Sequence, residues 1–275
     1  MLQPYKGSRQ REHFGPEGKG SYSRSTYGMD ESETKTYYFN SLGFRSEEFD
    51  PDAPLKLFVG GCSQSFGTGI DLEESWAFLF KQSLAERRGL PEQSVNLMNF
   101  SQGGASNDYI TRTLIEQSSL VRPDVIVAGF THMSRFEILD ETMAVHLGPI
   151  DLEEFDKAGG NPEIKRLAEF LTLGTDENQQ KIRMIKNVLL FQYFCRSRDI
   201  PFIFFFFESI LNEDLLSALR VPITETLYEQ IDLDHLVPIS RAIRVDRAAD
   251  GLHPGPRSQE LMAEAAWKVF STHYT

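Results

Sequence analysis

The 275-residue chain holds only two cysteines, Cys62 and Cys195, too few for a disulfide framework or a thiolate zinc site. Long apolar runs are missing as well. The longest, Ile200 to Phe207, falls far short of the roughly 18 residues that a membrane-crossing helix needs. The opening Met1–Lys6 lacks the apolar stretch of a secretion signal, so a reducing, cytoplasmic setting without a membrane partner is expected. Positive charge is in short supply: 28 Lys and Arg against 40 Asp and Glu leave a net charge of −12. Such a chain is repelled by phosphate backbones, and no nucleic-acid partner is expected. His13, His146, His235 and His273 show no metal-ligand spacing, and the acidic run Asp151, Glu153, Glu154 and Asp156 reads as a solvated face.

What is present points to a globular domain. Hydrophobic residues make up 40% and charged residues 25%, near the globular averages, and Phe is unusually frequent at 21 residues. Residues 1–38, rich in Gly, Ser, Tyr and charge without apolar periodicity, read as an extended N-terminal arm with no core residues; such an arm is a candidate contact for a second copy of the chain. From residue 55 a regular alternation begins. Leu55–Gly60 reads as a buried strand, followed by a helix with Trp76, Phe80 and Leu84 on one face, closed by Gly89 and Pro91. Ser94–Phe100 is a second strand. Ser106 or Asn107 then caps a helix carrying Ile110, Leu114 and Val121, and Asp124–Gly129 is a third strand. Residues 133–175 interrupt the rhythm and read as a partial lid. Thr175 is the expected cap of a long helix with Ile182, Ile185 and Leu189, the Phe run 202–207 is a fourth strand, and the last helix shows Leu261, Ala265 and Val269. Near-continuous apolar strands alternating with helices predict an α/β fold, a mainly parallel sheet covered on both faces, within a domain spanning 39–275. In such sheets the site lies at the carboxyl ends of the strands.

Those ends carry the informative residues. After strand one comes Gly60-Gly61-Cys62-Ser63-Gln64-Ser65, a tight turn that suits either an exposed nucleophile at a helix N-terminus or a phosphate cradle. Asn99-Phe100-Ser101-Gln102-Gly103-Gly104 follows strand two, and its glycines can aim an N–H at a developing oxyanion. Gly129-Phe130-Thr131-His132 follows strand three with two side-chain donors. Near the C-terminus, Asp250-Gly251-Leu252-His253-Pro254 sets a carboxylate three residues before a His on a proline-stiffened loop. The carboxylate can accept from Nδ1–H and leave Nε2 free to take a proton from a serine, or the two can be a mere capping pair. Cys62 is a rival nucleophile to Ser63. Cys195 reads as a buried small apolar residue. Arg135 is either locally paired with Glu137 or a substrate-orienting guanidinium.

The four segments, in this order and after successive strands, resemble the blocks of the SGNH (GDSL-type) hydrolase family over roughly residues 55–272. Asn40-Ser41-Leu42-Gly43-Phe44-Arg45 resembles a lead-in found in some branches, and the Gly-Cys-Ser turn is similar to variants among phage and environmental sequences. The resemblance implies a three-layer α/β/α sandwich and a cofactor-free serine esterase. Ser63 would attack, His253 act as general base and then acid, and Asp250 hold the imidazole; the N–H groups of Ser63 and Gly104, helped by Thr131, would form the oxyanion hole. His132, Arg135 and Asn107 are the expected substrate contacts, no metal is needed, and the implied substrates are small acyl esters, O-acetylated carbohydrate first. Two positions depart from the family: Cys62 stands where the family has Asp, and Thr131 where it has the Asn that donates to the oxyanion. These departures keep open an alternative, a non-catalytic carbohydrate-binding or virion-associated module on the same fold.

Overall fold

The computed structural model describes Leu2 and residues 19–22, 35–139, 144–147, 166, 169, 176–207, 212–240 and 243–274. Short strands β1 (Lys19–Tyr22) and β2 (Lys35–Tyr38) pair antiparallel ahead of the main sheet. That sheet is made of β3 (Leu55–Gly61), β4 (Val95–Asn99), β5 (Val125–Phe130), β8 (Phe202–Phe206) and β9 (Leu236–Val237). It runs in the order β4-β3-β5-β8-β9 with every pairing parallel. Between β5 and β8 lies the antiparallel pair β6 (Phe136–Leu139) and β7 (Ala144–Leu147).

The helices are α1 (Ser63–Phe66), α2 (Trp76–Arg87), α3 (Asn107–Leu120), α4 (Glu177–Ser197), α5 (Asn212–Leu219), α6 (Glu225–Tyr228) and α7 (Pro256–Tyr274). Helices α2 and α7 pack together on one face of the sheet, and α3 and α4 on the other. This is the expected α/β/α arrangement. The strands are largely apolar, Lys56 of β3 and Asn96 and Asn99 of β4 excepted, because both faces are covered. In β8 the period of two is visible: Phe205 stacks on Trp76 of α2 at 4.7 Å, whereas Phe202 and Phe204 meet Phe191 of α4 and Phe130 of β5. Cys195 is buried in α4, as expected of a small apolar residue.

Several expectations are corrected. The N-terminal arm, expected to hold no core residues, contributes buried Leu2 and Tyr37. Asp176, not Thr175, caps α4, because its carboxylate accepts from the N–H of Gln179 at 2.8 Å. Of the two caps expected for α3, Ser106 is the one formed, accepting from Tyr109, and Asn107 is the first helical residue. The two-residue β9 has no counterpart in the sequence reading. Glu137 does not pair with Arg135: β6 turns it toward α3, where Arg112 holds it with Nη2 at 2.6 Å. Most of the expected lid at 133–175 and the acidic run at 151–156 lie outside the described residues.

Candidate active site

Ser63 is the first residue of α1, directly after the extended Cys62 at the end of β3. Its N–H is one of the orphan donors of a helix start and has no hydrogen-bond partner among the described residues. The Cys62 side chain is buried in the hydrophobic core. Two glycines let the turn close. A Cβ on Gly61 would lie 2.2 Å from Ser65 Oγ, and one on Gly129 of the neighbouring strand 2.5 Å from the same atom. The Ser63 turn therefore sinks between β3 and β5 as no side chain at 61 or 129 would allow.

Asp250 and His253 lie on the loop that enters α7. The loop is pinned by Ala248 N–H to His253 O at 2.8 Å and by a bridge between Arg247 and Pro254. Buried Asp250 accepts from the N–H groups of Leu252 and His253 through Oδ1, both at 3.0 Å, and meets His253 Nδ1 through Oδ2 at 2.5 Å. Burial works to raise this carboxyl, but the bonds from the His253 ring and from the two N–H groups outweigh it and hold it below its usual value. An ionised carboxylate only accepts, so Nδ1 carries the proton and Nε2 is the acceptor. His253 Nε2 lies 2.8 Å from Ser63 Oγ, across 190 residues of sequence.

The second and third segments converge on the same edge. Asn99 bridges to the Ser63 turn: its Nδ2 donates to Ser65 O at 2.8 Å while its Oδ1 accepts from Ser101 N–H at 3.1 Å. Gly104 adopts a left-handed φ of 75°, which favours glycine although a Cβ there would meet nothing within 4 Å. Its N–H has no partner among the described residues. Asn107, expected at the substrate, is buried and grips the Thr131 backbone from both sides: Thr131 N–H donates to its Oδ1 at 2.7 Å, and its Nδ2 donates to Thr131 O at 3.0 Å. The Thr131 hydroxyl is contacted by Arg135 Nη1 at 3.2 Å. His132 Nδ1 lies 2.7 Å from Ser134 Oγ, and burial together with the charge of Arg135 keeps its ring below the usual value.

Two residues of the site's support had no assigned role in the sequence. Arg45 is buried, and its guanidinium donates to the carbonyls of Phe66, Gly67 and Ile70 at 2.8, 2.6 and 2.7 Å. Burial lowers it to about 10, so it stays charged at neutral pH. Tyr37 Oη accepts from Gly69 N–H at 2.8 Å, and Gly69 O in turn accepts from Ala249 N–H at 2.9 Å, beside Asp250. The Ser63 turn and the Asp250–His253 loop are thus tied to one bracket. The signal was the lead-in Asn40–Arg45, whose pattern was visible but whose contact was not. Among the described residues no cluster of His, Cys, Asp or Glu is placed to hold a metal ion, and no helix is long and apolar enough to cross a membrane.

No protein-family model matches the chain, and no curated protein does. Solved structures do. TesA is 16% identical, with 79% of this chain and 98% of TesA covered at a TM-score of 0.48. The psychrotrophic esterase EstA from Pseudoalteromonas sp. is 14% identical, covering 79% and 97% at 0.44. A putative lipolytic protein of the G-D-S-L family from Desulfitobacterium hafniense is 11% identical, covering 78% and 98% at 0.42. At such identities and TM-scores, the assignment of a reaction rests on the residues of this chain.

Proposed function

We propose that this protein is a serine ester hydrolase acting on small acyl esters. The observation that carries the reading is the continuous chain Asp250 Oδ2, His253 Nδ1, His253 Nε2, Ser63 Oγ, with links of 2.5 and 2.8 Å. In the first half-reaction Ser63 Oγ attacks the ester carbonyl carbon as its proton passes to Nε2. The resulting oxyanion is met by the N–H groups of Ser63 and Gly104 and by the Thr131 hydroxyl. Collapse expels the alcohol, which takes the proton from Nε2 and leaves the acyl group on Ser63. Water then attacks the acyl carbon, giving its proton to Nε2, and the second collapse returns that proton to Ser63 Oγ as the carboxylic acid departs. Asp250 remains ionised and stabilises the imidazolium in both halves. No step calls for a metal or organic cofactor.

Cys62 makes a poor rival to Ser63 in this reading, because its side chain is directed into the core while the Ser63 hydroxyl meets the base. O-acetylated carbohydrate is the substrate class that the sequence resemblance suggests. The test is labelling by a fluorophosphonate together with hydrolysis of p-nitrophenyl acetate. Wild type is expected to label and hydrolyse, and Ser63→Ala to do neither. An unlabelled, inactive wild type that still binds acetylated glycans would favour the binding-module alternative.

A further inference from the structure

We propose that Arg135 is a positioning residue that turns the Thr131 hydroxyl into an oxyanion donor, supplying the charge behind a side chain too short to act alone. The inference rests on the ester-hydrolase reading above and goes beyond it. Parallel register pairs Gly61 of β3 with Gly129 of β5, so Ser63 and Thr131 each lie two residues past matched positions, at the same edge of the sheet. Asn107 clamps the Thr131 N–H and C=O, fixing where its Cβ stands; the hydroxyl can only rotate.

The direction of the Arg135–Thr131 bond decides what that hydroxyl does. A guanidinium has donors only, so in the 3.2 Å contact Thr131 Oγ1 is the acceptor and its own proton is left to be donated elsewhere. The same Nη1 lies 3.5 Å from Ala105 O, in the loop that carries Gly104, so one guanidinium leans on both loops that bring donors to the oxyanion. The charge of Arg135 is not spent on a carboxylate. Glu137, the nearest acid in sequence, belongs to Arg112, and among the described residues Arg135 has no acidic partner. Arg183 holds the turn beneath it by donating to Met133 O and Arg135 O at 2.8 and 2.9 Å. A half-buried cation one hydroxyl away from the reacting carbonyl gains most when negative charge appears there, which is a transition-state effect.

The test is a double-mutant cycle on p-nitrophenyl acetate, a neutral substrate, with thermal melts to check folding. Thr131→Val is expected to lower kcat on the order of 10²-fold, the low end for a lost oxyanion donor. Arg135→Met is expected to lower kcat roughly 10-fold or more with little change in KM. The double variant is expected to be no slower than Thr131→Val, because the guanidinium acts through the hydroxyl. Added methylguanidinium is expected to restore part of the kcat of Arg135→Ala, and Arg135→Lys, a point charge without the planar fork, to fall between wild type and Met. Rescue by a small cation is a readout that a purely structural role would not move. Should Arg135→Met fail to fold, Arg135→Gln takes its place in the cycle, with kcat lowered by the same coupling to Thr131.

Multiplicative losses in the cycle, or an Arg135→Met enzyme with wild-type kcat, would overturn the proposal. So would a defect confined to KM for esters with an acidic group, which would make Arg135 a substrate contact. Ser63→Ala separates the two levels. If it hydrolyses as fast as wild type, the esterase reading falls and this proposal with it; if it is inactive while Arg135→Met is not slowed, only the role of Arg135 falls.

Discussion

The guanidinium of Arg45 lies 4.2 Å from the ring centre of Tyr37, and both side chains are buried beneath the turn that follows the Ser63 helix. Each also ends on that turn, Arg45 on three carbonyls and Tyr37 on the Gly69 N–H. The pair thus joins the N-terminal segment to the Ser63 turn and, through Gly69 and Ala249, to the Asp250 loop.

Removing this bracket is expected to be costly. Arg45→Met takes the guanidinium from the carbonyls of Phe66, Gly67 and Ile70, of which Gly67 keeps the Ile70 N–H, and a buried unsatisfied group costs about 1–3 kcal/mol. A loss of stability on the order of 3 kcal/mol is expected in urea denaturation. Tyr37→Phe, which takes the acceptor from the Gly69 N–H, is expected to lose about 1 kcal/mol. Equal midpoints for Arg45→Met and wild type would show that the carbonyls find other donors.

Asp250→Asn tests the tautomer argument. An amide at 250 can present an N–H to Nδ1, which would then accept and put the ring proton on Nε2, facing Ser63. A fall in kcat on the order of 10⁴ is expected, with the fold intact by circular dichroism. Activity within tenfold of wild type would remove Asp250 from the mechanism.

The depressed carboxyl of Asp250 also sets a pH dependence of stability. The folded state binds a proton here less readily than the unfolded chain, whose carboxyl titrates near ~3.9. The contribution is therefore complete above that value and is lost as pH falls through the lower, folded-state value. Urea midpoints measured from pH 5 down to pH 3 are expected to fall less steeply for Asp250→Asn than for wild type; parallel slopes would contradict the assignment.

Gly129→Ala probes the packing under the nucleophile. Its new methyl would meet Ser65 Oγ and the Phe207 ring, at 2.5 and 2.6 Å. Overpacking of this kind typically costs about 1–3 kcal/mol. Both the melting temperature and kcat are expected to drop, since Ser65 belongs to the same short helix that Ser63 begins. Adding Ser65→Gly is expected to recover part of both. If kcat stays at the wild-type level while stability falls, the turn is less tightly coupled to the nucleophile than its geometry implies.

Much of this molecule is written in local pattern. Continuous apolar strands such as Val125–Phe130 and Phe202–Phe206 require cover on both faces, which is why the sheet order of layers was legible before any contact was known. The Asp250–His253 pair was legible too, since a spacing of three residues on a proline-bounded loop already brings the groups within reach. Distance in sequence is what hid the rest. The contact of His253 with Ser63 spans 190 residues and exists only because parallel strands deliver both loops to one edge. The same holds for Asn99 on Ser65, Asn107 on Thr131 and Arg45 on the Phe66–Ile70 turn: polar side chains satisfying buried backbone groups that no periodicity announces. Arg135 shows the limit most clearly. Its spacing to Thr131 and to Glu137 is local in both cases, and which of them it meets was decided by β6, which hands Glu137 to Arg112 on α3 and leaves the guanidinium against the Thr131 hydroxyl.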